Sequence, residues 1–197
     1  YLLGASMGGA VAMVAMTSTD RPTVDGVILA GPAVWGRATM PWYQTAALWI
    51  GAHTVGWLKL TGKGLKIKPS DNRQMLLALG RDPLIIKETR IDTIYGVTNL
   101  MDAALAVSGD FAAKALILYG EHDEIVPPEP TFRMLKALPP SARERQKVAL
   151  YEAGYHMLLR DLQGETVWRD IAAWIEDPTQ PLPSGAGKRA EEKLAGN

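Results

Sequence analysis

Cysteine is absent from this chain of 197 residues, and histidine occurs only three times. Without thiols there is no disulfide framework, no thiolate zinc site and no cysteine nucleophile. Neither sign of charge is in excess, because 21 lysines and arginines balance 21 aspartates and glutamates. A neutral chain has no overall field that attracts nucleic acid, so we expect no nucleic-acid partner and recognition of any ligand through local contacts.

An initiator methionine is also absent, and a structured motif begins within the first residues of the chain. We interpret the sequence as a piece of a longer protein whose N-terminal part precedes Tyr1. Any export signal would lie in that part. For the chain itself we expect a cytoplasmic or peripheral membrane location.

Short apolar runs alternate with helical patterns along most of the chain. Strands are predicted at residues 1–3, 26–31, 114–119 and 147–151. Helices are predicted at residues 7–17, 130–138 and 162–175. This alternation is typical of the α/β class, with a mostly parallel sheet flanked by helices.

The stretch between the second and third predicted strands is far longer than a crossover requires, which predicts an inserted helical lid. Residues 38–58 contain no charged side chain, and a second helical block is predicted over 73–101. The spacing of four tryptophans would place them on one side of a helix, namely Trp35, Trp42, Trp49 and Trp57. A tail rich in proline, glycine and charge predicts disorder. The predicted divisions are core 1–36, lid 37–109, core 110–176 and disordered tail 177–197.

The run Gly4-Ala5-Ser6-Met7-Gly8 matches the pattern G-x-S-x-G at a predicted strand-to-helix junction. Such a turn exposes the serine hydroxyl, and we expect glycines on both sides to leave space where a Cβ would collide. The turn also directs the backbone N–H of Met7 towards a developing oxyanion. These features predict Ser6 as a nucleophile, and the alternative is a small-residue turn that lets the helix pack closely.

A serine hydroxyl needs a base to take its proton, and the base needs a carboxylate to orient it. Asp123 and His156 each follow a predicted strand at its carboxyl end, the edge of a parallel sheet where ligands bind. We therefore predict Asp123 as the acid and His156 as the base. Glu121 and Glu124 are alternatives for the acid.

The two other histidines have less specific settings. His122 is expected to be an exposed neighbour in the acid loop, and His53 a polar member of the insertion. Neither has the spacing to other ligands that a metal site requires. We predict no metal and no cofactor.

These motifs resemble those of the α/β-hydrolase superfamily, and within it the monoacylglycerol lipase and lysophospholipase group, the serine aminopeptidase-like (S33) hydrolases. Residues 4–9 are similar to the group's G-x-S-M-G-G elbow, 120–127 to its G-x-x-D-x-x-V-P acid loop, and 154–158 to its histidine loop. The resemblance implies the C-terminal part of an α/β-hydrolase fold with an inserted helical lid.

The resemblance also implies a catalytic triad of Ser6, Asp123 and His156. Met7 would supply one oxyanion donor through its backbone N–H. In the family, a preceding segment with an H-G-x-G-like loop supplies the second donor, and this chain contains no such motif.

The implied activity is that of a serine hydrolase cleaving carboxylic esters of single-chain lipids through an acyl-enzyme. The rings of Trp42, Trp49 and Trp57 are candidates for contact with the acyl chain, together with peripheral contact at a membrane or lipid surface. For the insertion, the alternatives are packing on the core and a membrane span. For the function, they are a short-chain carboxylesterase, an S33-type aminopeptidase and a binding protein that kept the fold without turnover.

Overall fold

The computed structural model describes residues 1–62, 64 and 66–196. The helices and strands follow in chain order as β1 (Leu2–Ala5), α1 (Met7–Thr17), β2 (Val27–Ala30), α2 (Trp42–Thr54), β3 (Lys59–Thr61), α3 (Arg73–Arg81), β4 (Glu88–Arg90), α4 (Ile91–Ala106), β5 (Ala115–Gly120), α5 (Pro128–Ala137), β6 (Gln146–Tyr151), α6 (Gly164–Glu176) and α7 (Ala186–Ala195).

The main sheet has four parallel strands in the order β1-β2-β5-β6. Every residue of β2 and β5 is buried, as expected for apolar strands that are covered on both faces. The predicted parallel sheet flanked by helices is therefore confirmed. Because the strands are parallel, the loops that follow β1, β2, β5 and β6 leave from the same edge of the sheet.

Two hydrophobic clusters lie on opposite faces of this sheet. One contains Met13 of α1, Leu29, Ile117 and Met134 of α5. The other contains Ile28, Leu116 and Leu118 with side chains of α6 and α7, including the buried Trp174. Alternate residues of β2 and β5 thus contribute to each cluster, which fixes the strand register and the edge from which the loops leave.

The insertion between β2 and β5 contains α2, α3, α4 and an antiparallel pair formed by β3 and β4. The helical block predicted over 73–101 is divided into two helices, because α3 ends at Arg81 and α4 begins only at Ile91. Pro83 explains the break, since the residue before a proline avoids helical backbone angles. The end of α4 belongs to the core, because Ala104 is fully buried in the cluster around α1.

The four tryptophans do not share one helix face, so that prediction is wrong. Helix α2 begins after Pro41 and its C-cap is Val55, which leaves Trp35 and Trp57 outside it. Trp42 and Trp49 lie within α2, where no residue is buried. The insertion therefore presents an unburied helix rather than a tryptophan stripe packed on the core.

The predicted disorder of the tail is wrong for the part that the structure describes, residues 177–196. Helix α7 packs on β6 through Ala186 and Ala190, which are both buried. The turn before it is held by Asp170, a fully buried carboxylate of α6 that accepts the N–H and hydroxyl of Ser184 and the hydroxyl of Tyr151. A narrow stripe of alanines was enough to dock a helix whose composition is mostly polar and charged.

Replacing Asp170 with alanine should lower the free energy of unfolding by about 2 to 4 kcal/mol, because buried donors would lose their acceptor. Urea unfolding of the complete protein measures the change. Glu165→Ala is the matched control on the same helix, since its ion pair with Arg169 is exposed and contributes at most about 0.5 kcal/mol. Equal losses in the two variants would contradict the role given to Asp170.

Candidate active site

Ser6 lies in the sharp turn between β1 and α1. Its backbone has φ +51° and ψ −118°, and no other residue except glycine has a positive φ in the part of the chain that the structure describes. The Ser6 N–H donates to the Ala30 carbonyl over 2.9 Å, and the Ser6 carbonyl accepts the N–H of Ala33, also over 2.9 Å. The left-handed backbone of Ser6 is energetically unfavourable for a residue other than glycine. Hydrogen bonds to β2 and to the loop that follows it hold Ser6 in this conformation.

Two glycines in the elbow are required by close backbone contacts. A Cβ on Gly4 would lie 2.4 Å from the carbonyl oxygen of Gly8, and a Cβ on Gly9 would lie 2.9 Å from Pro32. A Cβ on Gly8 would meet no atom within 4 Å. The expected collision is therefore confirmed before the serine, whereas after it the crowded position is Gly9 rather than Gly8.

The structure brings together the three residues that the sequence proposes as a triad. His156 Nε2 lies 2.8 Å from the Ser6 hydroxyl oxygen, and His156 Nδ1 lies 2.7 Å from Asp123 Oδ2. The carboxylate is fully shielded from solvent, and the imidazole is largely buried. These are the hydrogen-bonding distances that a serine, an imidazole and a carboxylate need in order to pass a proton between them.

The acid loop fixes which oxygen of Asp123 faces the histidine. Asp123 Oδ1 accepts the backbone N–H groups of Ile125 and Val126, each over 2.8 Å, which leaves Oδ2 for His156. An imidazole that donates its Nδ1 proton to this carboxylate has an unprotonated Nε2, which is the form that accepts the serine proton.

Sequence reasoning missed Tyr119, which supports the acid loop from β5. Its buried hydroxyl donates to the carbonyl of Val126 over 3.0 Å. Burial, together with the negative charge of Asp123, raises the pKa of Tyr119, so the hydroxyl stays protonated and remains a donor. Tyr119 lies within an apolar strand, and nothing in that part of the sequence indicates that its hydroxyl would hold the acid loop.

Gly31 was also missed, although it directly follows β2 at the same edge. Its φ is +52°, and a Cβ there would lie 3.5 Å from His156 Nδ1 and 3.6 Å from Asp123 Oδ2. A larger side chain at this position would therefore crowd the hydrogen bond between His156 and Asp123. The pair Gly31-Pro32 at the end of a predicted strand indicates a turn there, and this was the signal in the sequence that pointed to Gly31.

The two alternative acids are engaged elsewhere. Glu121 accepts both Nε and a terminal nitrogen of Arg189, at 2.7 and 3.1 Å, and pairs with Lys193 of α7. The bond with Arg189 and the pair with Lys193 lower the pKa of Glu121. Glu124 accepts the backbone N–H of Lys68 over 2.7 Å. Of the three acids in the loop, Asp123 is the one hydrogen-bonded to His156.

The remaining histidines lie away from the Ser6 hydroxyl. His122 is exposed, with its ring centre 5.3 Å from that of Tyr155. His53 is exposed on α2, where its ring stacks on Trp49 and its Nδ1 lies 2.7 Å from the Trp49 carbonyl. Within the described residues, no group of three or more His, Asp or Glu side chains could hold a metal ion.

The predicted oxyanion donor, the backbone N–H of Met7, lies at the N-terminus of α1. Met7 is the first residue of the helix, so its backbone N–H has no partner carbonyl within the helix. Helix ends of this kind attract negative charge. The Met7 N–H follows the nucleophile directly in sequence, as one oxyanion donor of a nucleophile elbow does.

The exposed rings of the insertion line an apolar cavity on α2. Trp42 is 81% exposed and Trp49 is 54% exposed. Together with Ile50 and neighbouring residues they line a space of about 610 Å³, which Trp57 does not reach. In the described part of the chain, no helix combines the length and apolarity needed to cross a bilayer.

Comparison with known proteins identifies a family and solved structures that are similar to this chain. The family profile described as serine aminopeptidase, S33, matches residues 1–163. A comparison with curated proteins gave no match. The monoacylglycerol lipase of Paleococcus ferrophilus is 25% identical, with a TM-score of 0.72 over 88% of this chain and 66% of the lipase.

More distant structures share the fold. A soluble variant of monoglyceride lipase from Saccharomyces cerevisiae, solved with a substrate analogue, is 21% identical, with a TM-score of 0.69 over 89% of this chain and 64% of that one. A bromoperoxidase from Bacillus anthracis is 17% identical, with a TM-score of 0.51 over 89% and 67% of the two chains. The present chain thus spans about two thirds of the length of these proteins, and the shared architecture serves more than one named activity.

Proposed function

Because this chain belongs to the serine aminopeptidase S33 family of α/β-hydrolases, we propose that it carries the catalytic triad of a serine hydrolase that cleaves carboxylic esters of single-chain lipids. The observation that carries the proposal is the continuous hydrogen-bonded path from Ser6 through His156 to Asp123. Monoacylglycerols and lysophospholipids are the proposed substrate class. The experiment that tests the catalytic role is the Ser6 substitution described in the Discussion.

In the acylation half of the reaction, Ser6 Oγ attacks the ester carbonyl while His156 Nε2 takes the hydroxyl proton. The Asp123 carboxylate accepts a hydrogen bond from Nδ1–H, remains ionised and stabilises the positive imidazole that forms. The carbonyl oxygen becomes negative in the tetrahedral intermediate, and the Met7 N–H donates to it. His156 then returns the proton to the departing alcohol, which leaves an ester between the acyl group and Ser6.

In the deacylation half, a water molecule replaces the alcohol. His156 takes a proton from this water, the resulting hydroxide attacks the acyl carbonyl, and the carboxylic acid leaves as Ser6 recovers its proton. Both halves use the same three side chains. The proposed chemistry requires no cofactor.

The substrate class rests on the cavity on α2. It is open to solvent on one side, and its walls include two exposed tryptophan rings and an isoleucine. Aromatic rings bury a large apolar area and therefore suit an acyl chain. Two of the structural relatives are named as lipases of monoacylglycerol or monoglyceride, which agrees with this choice.

Removal of the rings at Trp42 and Trp49 should lower kcat/KM for a p-nitrophenyl ester of a long-chain acid about tenfold more than for the acetate, since part of the apolar contact with the chain is lost. Initial rates on both esters measure the ratio. Leu84→Ala removes a different exposed apolar side chain of the insertion and should leave the ratio unchanged. Equal losses on both esters would contradict the acyl-binding role and favour a short-chain ester or an N-terminal peptide bond as substrate.

A further inference from the structure

A segment of the insertion, residues 68–72, lies directly against the loop that carries His156, and we call it the strap. The backbone N–H of Met157 donates to the carbonyl of Pro69 over 2.9 Å. On the other side of His156, the N–H of Tyr155 donates to Asp161 Oδ2 over 2.8 Å. The backbone N–H groups of the residues on either side of the base are therefore both held by hydrogen bonds.

Asp161 also holds the strap itself. Its second oxygen, Oδ1, accepts the hydroxyl of Ser70 over 2.6 Å. Ser70 is 1% exposed and Asp161 is 8% exposed. A carboxylate that accepts bonds at both oxygens in a buried place is a strong and directional link, because charge-assisted hydrogen bonds gain strength away from water.

The strap continues into the lid helix α3. Asn72 accepts the N–H of Met75 as the cap of that helix, and its N–H donates to the Ser70 hydroxyl oxygen over 3.1 Å. Its side-chain amide donates to the carbonyl of Arg160 over 3.0 Å. A displacement of α3 would therefore be transmitted to the strap and to the histidine loop.

The other end of the strap reaches the acid loop. The backbone N–H of Lys68 donates to Glu124, and its ammonium group donates to the hydroxyl of Tyr155 over 2.9 Å. The bond to Tyr155 is the main reason that the pKa of Lys68 is raised. These contacts are exposed and individually weak, but they join the strap to the loops that carry both the acid and the base.

We propose that Asp161 is a positioning residue that, with Pro69 and Ser70, holds His156 at hydrogen-bonding distance from Ser6, so that a seated lid is a condition for a competent base. This inference rests on the proposed function and adds to it a coupling between lid and triad. A base that shifts by about 1 Å loses about 100-fold in rate, so small movements of the strap have a large effect on turnover. By reciprocity, a ligand that stabilises the seated lid also stabilises the active position of His156.

Ser70→Ala tests the coupling in the complete protein. It removes the hydroxyl that joins the strap to Asp161 and leaves in place the hydrogen bond that the Tyr155 N–H donates to Asp161. Ser108→Ala is the matched control: its hydroxyl is equally buried and donates to the carbonyl of Ala104, within α4 and the turn after it. The readouts are kcat and KM on p-nitrophenyl acetate, whose acyl group is too short to need the apolar cavity. A second readout is amide hydrogen exchange in residues 150–162.

For Ser70→Ala we expect kcat to fall about tenfold with KM nearly unchanged, and the amides of Tyr155 and Met157 to exchange about tenfold faster. Ser108→Ala should leave both readouts at their original values even if it lowers stability. Ser70→Thr restores the hydroxyl and should recover most of the lost kcat. If Ser70→Ala does not fold, Asp161→Asn, which removes the charge at nearly constant volume, is held to the same expectations.

Unchanged exchange at Tyr155 and Met157, or a loss of kcat no larger than in Ser108→Ala, would overturn the coupling. Failure of the proposed function has a different signature. In that case the unsubstituted protein would not hydrolyse the ester, whereas the exchange measurement would still report whether the strap holds the histidine loop.

Discussion

Replacing Ser6 with alanine should lower kcat for ester hydrolysis by about a millionfold, because the members of a triad act as a unit and the nucleophile forms the covalent intermediate. The residual rate should still exceed that of the reaction without enzyme about 1,000- to 10,000-fold, because oxyanion stabilisation and substrate binding remain. Initial rates on p-nitrophenyl acetate, at saturating substrate and high protein concentration, measure the loss. The His156–Asp123 pair does not depend on the hydroxyl, so the fold and the binding of substrate should be retained.

Ser18→Ala is the control for this substitution. The Ser18 hydroxyl is exposed at the end of α1 and donates to the carbonyl of Ala15, far along the helix from the elbow. Its removal should leave kcat unchanged. Retention of more than about a tenth of the activity in Ser6→Ala would contradict a nucleophilic role, because the loss expected without the nucleophile is about a millionfold.

Asp123→Asn should lower kcat about ten-thousandfold, through a change in the protonation of His156 rather than a loss of shape. The N–H groups of Ile125 and Val126 select the carbonyl oxygen of the new amide, as they now select Oδ1 of the carboxylate. The amide NH₂ then faces His156 Nδ1, which must accept a hydrogen bond. The imidazole proton moves to Nε2, which can no longer take the proton of Ser6.

The kinetic comparison for this variant is Glu121→Gln in the same loop. It removes an equal charge and weakens the contact with Arg189 on α7, so we expect a loss far smaller than that of Asp123→Asn. The values of kcat for the two variants show which carboxylate is the acid that orients His156. A loss in Glu121→Gln as large as that in Asp123→Asn would contradict the assignment of Asp123.

Local patterns account for what the sequence could predict. The elbow was recognisable because its glycines, its serine and the following helix are consecutive, and close backbone contacts around Gly4 and Gly9 demand small residues there. The buried strands were recognisable because each is a short, continuous apolar run. The convergence of Asp123 and His156 followed from the rule that parallel strands end at one edge.

Features that depend on distant partners were not predictable from the chain. The bond between Ser70 and Asp161 joins residues 91 positions apart, and neither has an informative neighbourhood in sequence. Helix α7 was misread because Ala186 and Ala190 form a very narrow apolar stripe among charged residues, and its docking depends on the buried Asp170 of another helix. In both cases the partner, rather than the segment, determines the structure.

The central claim is that Ser6 is made nucleophilic by His156 and Asp123. The most direct test is to treat the complete folded protein with a fluorophosphonate and to locate the adduct by mass spectrometry of its peptides. We expect a single covalent phosphonate on Ser6, formed much more slowly in Asp123→Asn. An adduct on another residue, or no adduct on a protein shown to be folded, would contradict the claim.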